Sequence, residues 1–113
     1  MVRDQQWIVD MLQAAREILS FAEGFDRADL ESDRRTCSAI LYEIIVIGEA
    51  ANRLSDEYRA CHAHIPWQSI VGMRNILAHQ YDQVDTEIIW DAVSIDVPEL
   101  ITMLEPLLTE DNL

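Results

Sequence analysis

A chain of 113 residues, half of them hydrophobic and with few Gly and Pro, buries one core and no more. That excludes repeat, disordered and multidomain classes and leaves a single domain over residues 1–113. A net charge of −13 excludes a generic nucleic-acid binder, which gains affinity by neutralising phosphates, unless contact is confined to a locally basic cleft.

Cys37 and Cys61 make no disulfide framework. No apolar run approaches the ~18 residues of a membrane span, and Met1 leads into an amphipathic pattern rather than a basic-then-apolar leader. A soluble cytoplasmic protein is the expectation. Residues 4–23 then place Trp7, Ile8, Met11, Leu12, Ala15, Ile18, Leu19 and Ala22 at helical spacing, with Gly24 as a left-handed cap. A polar connector from Phe25 to Ser32, with room for one helical turn, leads to Asp33 as N-cap of a second helix ending near Leu54. In that helix Ile40, Ile44, Ile47, Ala51 and Leu54 form one stripe, and Cys37, Leu41, Ile45 and Gly48 form another beside it. A helix apolar over so much of its circumference is buried on more than one side. Either it is the central helix of a monomer or its surplus face serves self-association; a homodimer is the expectation.

Residues 55–62 read as a short helix capped by Ser55. Pro66 suits the first position of the next, which runs to about His79. Gly72 in that helix is expected to permit a close helix contact. Asp82 to Asp85 makes a loop, with Asp85 as N-cap of a last helix carrying Ile88, Ile89, Ala92, Leu100, Ile101, Leu104 and Leu108. Pro98 should kink or restart it, and Pro106 with the acidic tail should end it. No strand pattern competes, so the fold class is all-α, an up-and-down bundle of four to five main helices.

Between Tyr58 and Tyr81 there is no carboxylate, although the chain has 21 of them, yet Arg59, Arg74 and all three histidines lie there. The gap is either the place where an acidic protein meets an anion or a chance of composition. Its centre is Arg74-Asn75-Ile76-Leu77-Ala78-His79-Gln80-Tyr81. On a helix Asn75 and His79 share a face, while Arg74 and His79 stand ~140° apart, so a shared site relies on the long arginine stem or on the helix ending near His79. The residue types fit metal-independent RNA cleavage. Such cleavage needs a base for the ribose 2′-OH and a charge to stabilise the phosphorane. Histidine titrates near neutrality and serves as base or acid; arginine clamps phosphate oxygens; Asn75 could orient the imidazole or donate to phosphate. A second copy across a two-fold axis would supply the other histidine.

Other constellations are weaker. Cys61-His62-Ala63-His64 offers three potential metal ligands in four residues, but no second pair follows to complete a site. Glu43 and Glu49 sit in the apolar second helix, where a carboxylate needs a partner. Arg74 or Arg53 could supply it, or solvent at the bundle rim.

The run from Arg74 to Tyr81 resembles the R-x4-H-x-Y signature of HEPN domains as found in HepT-like toxins. Ile47-Gly-Glu-Ala-Ala-Asn-Arg-Leu, Ile65-Pro-Trp, Ile70-Val-Gly-Met-Arg, Val84-Asp, Ile88-Ile-Trp90 and Asp96-Val-Pro-Glu-Leu100 resemble the same family in order, over essentially the whole chain. The resemblance implies a helical-bundle toxin that dimerises to bring two motifs into one cleft. It implies a metal-independent endoribonuclease with Arg74 and His79 catalytic and Asn75 as polar helper, without a cofactor. It implies a minimal nucleotidyltransferase as antitoxin, silencing the toxin by transferring AMP from ATP to Tyr81. A reading of another class is a non-catalytic helical partner that binds a nucleotidyltransferase.

Overall fold

The computed structural model describes residues 2–78 and 85–111. Every element among them is helical: α1 (Val2–Phe21), α2 (Arg27–Ser32), α3 (Arg34–Arg53), α4 (Asp56–Cys61), α5 (Trp67–Ala78), α6 (Thr86–Asp91), a π turn (Ala92–Asp96) and α7 (Val97–Asp111). The fold is all-α, as the periodicity predicts. None of the described helices is long and apolar enough to cross a membrane.

Local chemistry sets the boundaries. Gly24 has φ +78° and closes the turn after α1, a conformation glycine adopts without a Cβ penalty. Asp26 and Asp29 form a capping box around α2, each carboxylate accepting from the other's backbone N–H at 2.8 and 2.9 Å. Asp33 caps α3: its Oδ1 accepts from the Thr36 N–H at 3.0 Å and its Oδ2 from the Thr36 hydroxyl at 2.8 Å. The Thr36 N–H, and after it the hydroxyl, hold the Asp33 carboxyl below its ordinary range. Ser55 caps α4 and Asp85 caps α6, both as expected. Pro66 stands one residue outside α5, its carbonyl accepting from Ile70, so it occupies the cap rather than the first helical position.

The core assembles from one face of each long helix. Ile8, Met11, Leu12, Ala15 and Ile18 of α1 meet Ile40, Ile44, Ile47 and Ala51 of α3, all at most 1% exposed. Each such buried aliphatic side chain contributes about 1.5–3 kcal/mol. Val97, Leu100, Leu104 and Leu107 of α7 complete it. The main contacts run α5–α3–α1–α7. α1 and α3 are antiparallel, because Asp4 in the first turn of α1 meets Ser55 just past the end of α3. The Ser55 N–H donates to Asp4 Oδ1 and its hydroxyl to Oδ2, both at 2.8 Å. The same hydroxyl accepts from the Tyr58 N–H at 3.1 Å, so a buried aspartate ties one helix start to another.

Two prolines behave differently. Ahead of Pro98 the helix widens into the π turn, with the Val97 N–H reaching back to the Ala92 carbonyl. The extra residue carries the register past the point where Pro98 offers no donor. Pro106 does not end α7, contrary to expectation; the helix continues to Asp111. Pro106 and Thr102 are both exposed, so water can take the place of the donor that the Thr102 carbonyl loses.

Candidate active site

Gly48, in the second apolar stripe of α3, shows how α5 is placed. Cys37 and Gly48 are buried and Leu41 packs on the core. Much of that stripe is thus satisfied within one chain, leaving Ile45 half-buried; Tyr42, outside the stripe, is 66% exposed. Gly48 is the close-contact glycine: a Cβ there would lie 2.8 Å from the Arg74 Cβ and 3.2 Å from its Cγ. Gly72, expected to play that part, has nothing within 4 Å of its would-be Cβ. Close approach is decided by the residue facing a helix across the interface, and the face of α5 that meets Gly48 is the one carrying Arg74.

Glu49, next to Gly48, completes the arrangement. An Nη of Arg74 donates to Glu49 Oε1 at 2.7 Å, with the two side chains 27% and 47% exposed. The guanidinium has five N–H donors, and among the described residues Glu49 is its only ionic partner. Held by its stem against α3 and by one nitrogen at Glu49, Arg74 is pre-oriented with donors left for an anion. Arg53, the other candidate partner, lies instead over the Trp7 ring at 5.3 Å.

His79 and Tyr81 lie outside the described residues. Asn75 is placed in α5 beside Arg74, and its side chain is likewise outside them. Of the motif's side chains, the structure therefore positions Arg74 alone, and it adds Glu49.

Glu43 went the other way from Glu49. It is 7% exposed, and its Oε2 has no hydrogen-bond partner. Burial first, then a hydrogen bond and the charge of Glu17, push its carboxyl up to about 7. The His62 ring lies tilted at 4.6 Å from Tyr58 and edge-on at 6.2 Å from His64, and the His62 carbonyl accepts from the Trp67 indole at 3.0 Å. These rings brace the α4–α5 corner. Among the described residues no group of three or more His, Cys, Asp or Glu is placed to hold a metal ion.

What sequence reasoning missed is Asp4, the partner of Ser55. A carboxylate in the first helical turn reads as a dipole partner, and nothing local distinguishes it from one that reaches another helix.

The family described as Ribonuclease HepT-like matches residues 11–107, a span that includes Gly48, Glu49 and Arg74. A Thermococcus cleftensis protein, provisionally named ribonuclease HepT, is 31% identical over 102 residues, covering 87% of this chain and 93% of the relative. A Caldanaerobacter subterraneus protein provisionally named an RNase is 29% identical over 106 residues, 94% of this chain and 95% of its own. A similarly named Methanocaldococcus jannaschii protein is 29% identical over 94 residues, 83% of this chain and 86% of its own. No solved structure matches. With the match running from the middle of α1 through most of α7, the chain belongs to the Ribonuclease HepT-like family.

Proposed function

We propose that this chain is a metal-independent endoribonuclease, the toxin of a toxin–antitoxin pair. The observation that carries the reading is Arg74, lodged against Gly48 and tethered to Glu49 in a family named for ribonuclease activity. His79 removes the 2′-OH proton, and the resulting oxygen attacks the adjacent phosphorus. Arg74 neutralises the charge that develops on the phosphorane oxygens, and Asn75 donates to the phosphate or orients the imidazole. The 5′-oxygen leaves with a proton from a second histidine, His79 of another copy.

A homodimer is part of the proposal. Tyr42, Ile45 and Glu49 follow one another at helical spacing on α3, so the open apolar patch runs up to the Arg74 tether. Pairing through it brings two arginines, each with N–H donors left over from Glu49, near one groove of an otherwise acidic chain. The partner is a minimal nucleotidyltransferase that transfers AMP from ATP to the Tyr81 hydroxyl, with release of pyrophosphate. A bulky anion beside the cleft repels RNA.

The test is RNA cleavage and growth inhibition by Arg74→Ala and His79→Ala. Both should lose at least about a hundredfold in rate while their circular dichroism stays helical. Unchanged toxicity in both would leave only the reading of a non-catalytic helical partner that binds a nucleotidyltransferase. Intact-mass spectrometry after incubation with the partner and ATP should show one added AMP, absent from Tyr81→Phe.

A further inference from the structure

Where α5 and α7 face one another they do not close, because α5 packs chiefly on α3 and α7 chiefly on α1. A pocket of about 140 Å³ remains between them. Its floor is apolar, made by Ile70 and Met73 of α5 and Leu100 and Met103 of α7, and its rim carries Asp96 and Glu99. Asp96, Glu99, Leu100 and Met103 have the spacing of one helix face, so a strip from the π turn runs along the crevice beside a strip from α5.

Charge and size identify what fits. Neither Asp96 nor Glu99 forms an ion pair among the described residues. Burial pushes the Asp96 carboxyl up, and the charges of Glu99 and Asp91 add to it. Negative charge therefore gathers over an apolar floor without a cation, in a chain of net charge −13. An anion is repelled. A cation on an alkyl stem satisfies both halves of the pocket, its stem against the adaptable methionines and its head at the carboxylates. The volume suits one long side chain; pockets for drug-sized ligands run to roughly 300–1,000 Å³. Ile95, next to Asp96 in the π turn and 53% exposed, offers apolar surface beyond the lining, which favours a polypeptide over a small organic cation.

We propose that this crevice docks a basic amphipathic helix of another protein, one lysine or arginine of which inserts between Met73 and Met103 and pairs with Asp96 and Glu99. Helix-in-groove recognition supplies the geometry. Neither Arg74 nor Gly48 nor Glu49 lines the crevice, and binding there is expected whether or not the chain cleaves RNA.

The experiment titrates the intact chain, labelled at its methionine methyls, with a synthetic amphipathic helix of leucine, alanine and arginine. The Met73 and Met103 resonances should shift and saturate, while Met11, 0% exposed in the core, stays in place. Asp96→Asn with Glu99→Gln should weaken binding about fivefold or more. Glu23→Gln with Glu31→Gln, which removes the same charge elsewhere, should leave it unchanged. Met103→Lys, which puts a cation into the pocket, should abolish it. Equal weakening by the two double variants would reduce the effect to net charge and overturn the proposal. Equal binding of a peptide with glutamine in place of arginine, or the same shifts from spermidine at matched concentration, would overturn it as well.

Discussion

Arg74 and Glu49 meet at 2.7 Å across the contact between α5 and α3, one residue along from the glycine that lets the arginine stem lie against the helix backbone. A partly exposed ion pair of this kind adds little to stability. Its consequence is positional, because it holds the planar cation that opens the motif in one orientation.

If Glu49 positions Arg74, Glu49→Ala should lower kcat for cleavage of a short RNA about tenfold, with a smaller change in KM. Glu49→Gln, which keeps an oxygen acceptor, should recover most of the loss. Steady-state kinetics on both variants checks this, and rates equal to those of the unsubstituted chain in both would remove Glu49 from the arrangement.

The two glycines should respond with opposite signs. Gly48→Ala forces a Cβ to 2.8 Å from the Arg74 Cβ and should destabilise the fold by about 1–3 kcal/mol. Gly72→Ala meets open space within a helix and should stabilise it by up to about 1 kcal/mol. Urea denaturation of the two variants reads both signs.

Glu43 makes stability depend on pH. Its folded-state pKa, about 7, is raised above the ordinary 4.5, so between those values the folded chain holds a proton that the unfolded chain has released. Its contribution to stability therefore falls as pH rises through that window and is lowest above it. Glu43→Gln removes the buried charge and should raise stability at pH 8 by a few kcal/mol at most, with little effect near pH 4. Thermal melts at the two pH values test the sign.

Asp4 accepts both the N–H and the hydroxyl of Ser55 and is 4% exposed. Asp4→Ala leaves those donors without their acceptor and should cost about 2–3 kcal/mol. Ser55→Ala, which removes the α4 cap, should cost about 1 kcal/mol. A double-mutant cycle by chemical denaturation should show the two losses to be strongly non-additive.

Periodicity and capping chemistry determined by themselves that this chain is a helical bundle, and they placed Gly24, Asp33, Ser55 and Asp85 at its helix ends. Those signals are legible because each arises within a few residues of chain. Arg74 was legible as a site candidate for the same reason, as part of a compact run of polar groups. Tertiary structure alone decided that Gly48 rather than Gly72 takes the close contact, that Glu49 rather than Glu43 holds Arg74, and that Arg53 goes to Trp7. Each of these choices depends on which faces of two distant helices meet. That is settled by how the whole core packs, so no local pattern encodes it.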